Sequence, residues 1–379
     1  MYRTLTCKLN LSTAQNSYFE GLLSHTRFLY NSFLAQKQEA YKSEKKSTSL
    51  FDDQKHLSSL KKTTPELAQY PDRAQKGVLT RLDNAFKGFF RRIKQGKKAG
   101  YPRFKSADRW NTIEYVNLNT KVIDCSIKIP KFGKVTNRRF GQITGPICTL
   151  RVLRRSTGWF LQVVYNSGPN PEPLPIQTSV GIDVGLTSFA VLSNGEQIEN
   201  PRFARKFERK IRRANRVLAR KKRGSNRRAR QKKCLAKLHE KVVGARKDFI
   251  HQLSRKLVDR FDLICCEKLN IRGMVRGKLS KSILDASWGF LYWCLSYKAA
   301  SAGKTFIQID PRGTSQVCSK CGATVPKKLS ERTHVCPECG FATSRDHNSA
   351  LEILRRGLTH YGQVGPEIKH AELALLGSA

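Results

Sequence analysis

Cys318-Ser319-Lys320-Cys321-Gly322 and Cys336-Pro337-Glu338-Cys339-Gly340, followed closely by Ser344-Arg345-Asp346-His347-Asn348, decide how this chain is read. The two pairs make a C-x2-C-x14-C-x2-C array. Cysteine thiolates at that spacing put two sulfurs on one metal, and two such knuckles close a tetrahedral site. The intervening 14 residues suffice for a hairpin, and Gly322 and Gly340 follow the knuckles where the turn needs backbone freedom. Four thiolates leave no open position, so Cys318, Cys321, Cys336 and Cys339 are expected to hold a structural Zn²⁺. Binding of that kind is worth ~10–16 kcal/mol and doubles as folding energy. Asp346 then stands seven residues past the last ligand, at the start of a helical segment. A zinc ribbon beside a helix-borne acid points to nucleic-acid chemistry, with the remaining acids supplied from elsewhere in the chain.

Charge supports that direction. The 379 residues, enough for two or three domains, carry 71 Lys and Arg against 29 Asp and Glu, a net charge of +42. A compact body with that excess repels itself unless a polyanion neutralises it. No apolar run approaches the ~18 residues that read as a membrane span, and the start, Met1-Tyr2-Arg3-Thr4-Leu5, lacks a hydrophobic signal core. Of the 11 cysteines, the seven outside the array are scattered, several within apolar runs. That pattern suits buried thiols in a reducing cytosol.

Working outward, residues 2–10 read as a strand, and from Thr13 the pattern turns helical, with Tyr18, Leu22, Leu29, Phe33 and Leu34 near one face. A second helical block carries Val78, Leu79, Leu82, Phe86, Phe89 and Phe90, and ends in the basic loop 91–105. Between 111 and 166 short β-rich runs separated by turn residues predict a small sheet or barrel. Pro169, Pro171, Pro173 and Pro175 can continue neither sheet nor helix, which places the main boundary there. Beyond it, strands at 179–185, 188–192, 261–267 and 304–309 alternate with helices, including a hairpin of 202–222 and 227–260, as an α/β core does.

Asp183 and Glu267 end two of these strongly apolar strands, and Asp346 starts the last helix. Carboxylates gathered at the rim of a sheet in a basic protein are well suited to holding two hard cations, which take oxygen ligands, ~3.5–4 Å apart. One cation activates a water and the other stabilises the leaving oxygen of a phosphodiester. Asp262 and Asp310, near the same rim, read as structural.

The basic surfaces come next. Residues 202–233 hold 17 Arg or Lys and a single acid, Glu208. A merely solvated face mixes signs, so Arg205, Arg209, Arg212, Arg213, Arg216, Arg220, Arg227 and Arg228 are expected to meet phosphates. Arg103 and Lys105 form a second basic surface. There Tyr101 and Phe104 either stack on bases or join the core.

At these residues the chain resembles the TnpB family, insertion-sequence-encoded RNA-guided nucleases similar to compact type V CRISPR effectors. The matching pieces are Gly181-Ile182-Asp183-Val184-Gly185, Cys266-Glu267-Lys268-Leu269-Asn270, Thr314 to Gly322 and Arg345-Asp346-His347-Asn348-Ser349-Ala350. Gly100 to Lys105 resembles the family's Gly-x-Pro-Arg-Phe-Lys signature, and Leu29-Tyr30-Asn31 its first helical region. Ser344 stands where an acid is common, and 361–379 match no family motif.

The resemblance implies a multidomain α+β fold. A helical recognition domain (11–105) would be inserted in a β-barrel wedge domain (1–10 and 106–170). An RNase H-like RuvC domain (176–315 and 343–360) would follow, with the zinc ribbon (316–342) inserted in it and a tail at 361–379. It also implies a Mg²⁺-dependent DNA endonuclease with Asp183, Glu267 and Asp346 binding two Mg²⁺. Its partners would be a guide RNA from the transposon end and double-stranded DNA beside a short transposon-associated motif. The protein would be a monomer in the prokaryotic cytoplasm, near the nucleoid. Two rival readings are a nuclease-inactive RNA-guided DNA-binding regulator and a RuvC-type transposase or resolvase acting without RNA.

Overall fold

The computed structural model describes residues 1–364 apart from Lys46, Asn117, Asn119 and Leu329, so the expected tail lies outside the described residues from 365 onward. Contacts along the chain separate two compact units, the first ending at Pro169 and the second starting at Asn170, within the proline run.

The first unit contains β1 (Tyr2–Leu9), α1 (Thr13–Glu44), α2 (Leu50–Thr63), α3 (Pro65–Ala68) and α4 (Asp72–Lys94). Six strands follow: β2 (Thr112–Val116), β3 (Val122–Ile123), β4 (Ser126–Ile129), β5 (Gly133–Thr136), β6 (Ile147–Arg155) and β7 (Gly158–Asn166). Four pair antiparallel in the order β1-β7-β6-β2, and β3-β4-β5 form a separate three-stranded sheet. Among the described residues the larger sheet is open, with β1 and β2 as its edges rather than joined into a closed barrel.

Alternation along β7 buries Trp159, Leu161, Val163 and Tyr165 while their neighbours stay partly exposed, the period of a strand with one covered face. Helix α1 starts at a Ser12–Gln15 capping box and shares this core through Phe19, Leu22, Leu23, Tyr30 and Phe33. Two indole donors reach α1: Trp159 Nε1 of β7 to Asn16 Oδ1 at 2.6 Å and Trp110 Nε1, just ahead of β2, to Thr26 Oγ1 at 3.0 Å. Helices and strands of this unit therefore pack around one core.

The second unit contains β8 (Ser179–Val184), β9 (Ser188–Leu192), β10 (Gln197–Glu199), α5 (Phe203–Ala219), α6 (Asn226–Arg260) and β11 (Leu263–Glu267). Then come α7 (Ile271–Met274), α8 (Ser280–Ala286), α9 (Trp288–Ser301), β12 (Thr305–Ile309), β13 (Thr333–Val335), β14 (Ala342–Ser344) and α10 (Arg345–Val364). The main sheet runs β10-β9-β8-β11-β12. Its first three strands pair antiparallel, and β8, β11 and β12 are parallel.

The central strands are buried on both faces, so they read as continuous apolar runs rather than alternating ones. Val180, Ile182, Ile264 and Cys266 face a core built with α6 and α9. Leu263 and Cys265 face the opposite way, onto Ile353, Leu354 and Leu358 of α10. The small antiparallel pair β13–β14 stands apart from this sheet.

Candidate functional site

Strand parity sets up the site. Side chains alternate faces with a period of two, so Asp183 shares the face of Gly181 and Glu267 that of Cys265. That is the α10 face. Helix α10 lies unusually close there, because a Cβ at Gly181 would sit 2.1 Å from the Ala350 carbonyl oxygen. A Cβ at Gly357 would likewise sit 2.1 Å from Cys265 Sγ. With the helix held down at two points, its first turn carries Asp346 to the ends of β8 and β11. Asp183, Glu267 and Asp346 line a single cleft of about 560 Å³, together with Arg332, Arg345 and Thr314.

Ser344, not Asp346, caps the helix: its Oγ accepts from the His347 N–H at 3.2 Å. The serine thus fills the capping position, and Asp346 is left free to face the cleft, with ion-pair contacts of 3.5 Å to Arg345 and 4.0 Å to Arg332.

The electrostatics are those of anions held together against their preference. Asp183 keeps some accessible surface at the cleft but is otherwise enclosed. Burial, then the neighbouring charges of Glu267 and Asp346, push its carboxyl well above the usual range, with Arg345 opposing. Burial also raises Glu267, while the Thr314 hydroxyl and Arg356 pull it back. An acid whose folded pKa is raised destabilises the fold once pH passes the unfolded pKa. Ionising this pair therefore costs stability near neutrality, and bound cations would relieve that cost. An oxygen-only donor set of this kind fits hard divalent ions.

The cysteines contrast with this. Their four Sγ atoms all lie within 4.8 Å of one another, the only such cluster of metal-binding side chains among the described residues. Cys318 and Cys339 Sγ are 3.7 Å apart, and Cys321 and Cys336 Sγ 3.5 Å. Backbone N–H groups of Ala323, Cys339 and Phe341 serve Cys321, Cys336 and Cys339 respectively, but burial and the crowding of neighbouring sulfurs leave Cys321 and Cys339 above their ordinary range and only Cys336 below it. Gly322 and Gly340, with φ of 81° and 69°, occupy the left-handed conformation that turns each knuckle. The set fits a closed tetrahedral site for a thiophilic ion such as Zn²⁺.

The other sequence candidates fall into place unevenly. Asp262 Oδ2 is taken up by the N–H groups of Gln177 and Thr178, which ties the start of β11 to the approach to β8, and Asp310 Oδ1 by the Arg312 N–H, which holds a turn. Arg205, Arg209, Arg212, Arg213, Arg216, Arg220 and Arg227 are exposed on the α5–α6 hairpin. Arg228 differs: its Nη1 donates to the Leu218 and Lys221 carbonyls at 2.6 and 2.9 Å, stapling the hairpin turn instead of facing outward.

In the first unit, Tyr101 packs edge-on against Phe86 and Phe89 yet stays 40% exposed. Arg103 is exposed, and Lys105 lies over the Tyr30 ring. Lys105 also exchanges both of its backbone bonds with Asn31, so the 29–31 and 100–105 motifs clasp each other.

Sequence reasoning assigns no individual role to Thr314, His347 and Asn348, although all three stand in the motif stretches. His347 Nδ1 lies 3.0 Å from Thr343 Oγ1 and its Nε2 lies 3.0 Å from the Ser193 carbonyl oxygen. A polar run directly against a candidate acid, Arg345-Asp346-His347-Asn348, was the available signal.

The chain is similar to known proteins over most of its length. Three family models match: a helix-turn-helix domain at residues 1–46, the OrfB_IS605 family, described as "Probable transposase", at 162–278, and a Cas12f1-like TNB domain at 288–353. A "Putative RNA-guided DNA endonuclease" of Streptomyces pristinaespiralis is 31% identical over 346 residues, covering 88% of this chain and 83% of that one. InsQ of Escherichia coli K12, named in the same way, is 29% identical over 87% of this chain and 86% of its own. Among solved structures, a Cas12f1–sgRNA–target DNA complex aligns over 91% of this chain and 83% of its own, with a TM-score of 0.58 at 16% identity.

The fold is thus a mixed α/β architecture resembling that of compact Cas12f effectors. Within that class, the chain belongs to the TnpB family. Among the described residues no helix is long and apolar enough to cross a membrane.

Proposed function

We propose that this protein is an RNA-guided, Mg²⁺-dependent endonuclease of double-stranded DNA, encoded by a transposon and acting beside a short transposon-associated motif. The observation that carries the reading is the cleft in which Asp183, Glu267 and Asp346 converge from two strand ends and one helix start. The sheet order, antiparallel then parallel about β8, supports a RuvC-like, RNase H-type nuclease domain over 176–315 and 343–360, with a zinc ribbon at 316–342. In the first unit, residues 11–105 would act as the recognition domain and 1–10 with 106–170 as the wedge. The relatives' names support guide RNA and target DNA as partners. The guide would derive from the transposon end, and the protein would act as a monomer.

Asp183, Glu267 and Asp346 would hold two Mg²⁺ ions, which when bound supply an activated water and charge stabilisation for the leaving oxygen. The chain's own residues do the rest. Buried and crowded, Asp183 and Glu267 gain most from cations, which biases the cleft toward binding them. Arg332 and Arg345 present positive charge at the cleft wall for a backbone phosphate. The exposed arginines of the α5–α6 hairpin neutralise further phosphates without reading sequence. Specificity would rest on base pairing with the guide.

The test is programmed cleavage by the protein expressed with its native flanking DNA, wild type against Asp183→Ala. Cleavage should vanish in the variant while guide and target binding persist; retained cleavage would sink the assignment. A wild type that binds guided targets without cutting would instead be a regulator. Cutting of transposon ends that survives ribonuclease treatment would make it a transposase or resolvase.

A further inference from the structure

The segment that leads from β12 into the first cysteine knuckle grips two of the three acid-bearing elements. Thr314 on this strap is 3% exposed, and its hydroxyl donates to Glu267 Oε1. The same hydroxyl lies 3.0 Å from the Pro311 carbonyl. It carries one proton, and the carboxylate is the stronger acceptor, since charged partners make the stronger hydrogen bonds. One oxygen of Glu267 is thereby fixed at a residue that lines the cleft.

Three residues on, the strap meets α10. Asn348 is fully buried; its Oδ1 accepts from the Ser319 N–H at 3.0 Å and its Nδ2 donates to the Val317 carbonyl at 2.8 Å. Val317 and Ser319 flank Cys318, so this amide joins the knuckle backbone to the helix turn that bears Asp346. A third tie lies two turns along the helix, where Arg356 Nη1 donates to the Arg312 carbonyl at 2.6 Å. Arg356 is in turn aimed by the buried Glu352, 2.7 Å away.

We infer that Thr314 and Asn348 are positioning residues through which the strap, anchored by the cysteine knuckle, sets the placement of Glu267 and Asp346 for divalent-cation binding. The inference rests on the reading of the three acids as a metal centre. Outer hydrogen-bond partners of metal ligands act by fixing ligand orientation, and their loss costs roughly 10- to 100-fold in metal affinity or activity. Asn348 suits this role because its amide offers donor and acceptor together, so it can hold two backbone groups on either side of one cysteine. Thr314 suits it because a buried hydroxyl on a strap closed by a turn at Pro311 has one direction to point.

The test uses the full chain with its guide RNA and reads Mn²⁺ binding by paramagnetic resonance in the absence of target DNA. Thr314→Val keeps the shape and removes the hydroxyl; Thr314→Ser restores it; Asn348→Ala removes the amide. We expect Thr314→Val and Asn348→Ala to retain one equivalent of cysteine-bound zinc and unchanged guide and target affinity. Their cleft Mn²⁺ affinity should fall roughly 10-fold or more, with a matching fall in cleavage that extra Mn²⁺ partly rescues. Thr314→Ser should lie close to wild type.

Wild-type Mn²⁺ affinity in both Thr314→Val and Asn348→Ala would overturn the inference. So would loss of the zinc in either, which would make the strap a scaffold only. Asp183→Ala separates this from the underlying reading. If it leaves Mn²⁺ binding intact, the acids are not a metal centre; if it abolishes binding while the positioning variants do not weaken it, the inference alone fails.

Discussion

The cysteine cluster and the acidic cleft are both sets of anionic donors in the same unit, yet they are built in opposite ways. The four sulfurs come from two short knuckles 14 residues apart and sit within 4.8 Å of one another. Every ligand is local in sequence, so only the turn geometry has to be right. The three carboxylates come from residues 183, 267 and 346 and meet only because a whole sheet and a helix are in place. They share an open cleft with room for substrate. The lesson is that a closed site commits its donors to structure, whereas an open site keeps charge unsatisfied so that something else can satisfy it.

Deleting one donor from each set should break that contrast most clearly. Asp183→Ala is expected to lower cleavage by roughly 10⁴- to 10⁶-fold, the range of loss when one member of a cooperating catalytic set is removed. Zinc content, measured by chelator release, should stay the same. Equal loss of zinc would mean that the two regions fold as one.

The reciprocal experiment is Cys336→Ser, or chelation of the cysteine-bound metal. A site of this type carries ~10–16 kcal/mol of local folding energy, so hydrogen exchange over 316–342 should become unprotected. The main sheet should keep its protection, because its cores on either face of β11 contain none of the ribbon residues. Global unfolding on chelation would contradict the division.

How far the sequence anticipated this follows from the same locality. The cysteine array was legible from spacing alone, because local ligands leave a local pattern. Strand ends and the apolar stretches of β8 and β11 were legible too, and strand parity then carried Asp183 and Glu267 to one face. The tie between the regions was not: Thr314 and Asn348 are ordinary polar residues whose partners lie 47 and 29–31 positions away. Arg228 was misjudged for a related reason. Composition marks a run of arginines as phosphate-facing, but says nothing of which one must turn inward to saturate the carbonyls at the end of α5. The barrel expected in the first unit also failed to close among the described strands, since alternation predicts a covered face but not which edges meet.

The unsatisfied charge of the cleft gives a smaller, sharper test. Asp183→Asn removes the charge that burial and its neighbours penalise, so the cation-free variant should be more stable than wild type at pH 7. A gain of ~1 kcal/mol would raise Tm by roughly 2–4 °C in a unit of this size. The sign follows from the raised pKa: wild type loses stability as pH rises above the ordinary carboxylate range. The gap should therefore close as pH falls and the wild-type acid takes up its proton. Added Mg²⁺ should close it from the other side by stabilising wild type alone. A variant less stable than wild type at pH 7 without cations would show that Asp183 makes structural contacts worth more than its charge costs.

The smallest effect lies at the joint between the two regions. Ser344 ends β14 and caps α10, with its Oγ accepting from His347 N–H at 3.2 Å. Ser344→Ala should cost about 1 kcal/mol, as loss of a capping hydroxyl does, with zinc retained. Ser344→Asp keeps an acceptor at the cap and adds a charge that the helix N-terminus favours. That charge also stands two residues from Asp346, in a cleft already crowded with anions. The aspartate variant should therefore match or exceed the serine in Tm when Mg²⁺ is present, and lose that advantage when it is absent. If the alanine variant alone frayed the first turn of α10 enough to weaken Mn²⁺ binding as strongly as Asn348→Ala, the helix cap rather than the knuckle would be the main support for Asp346.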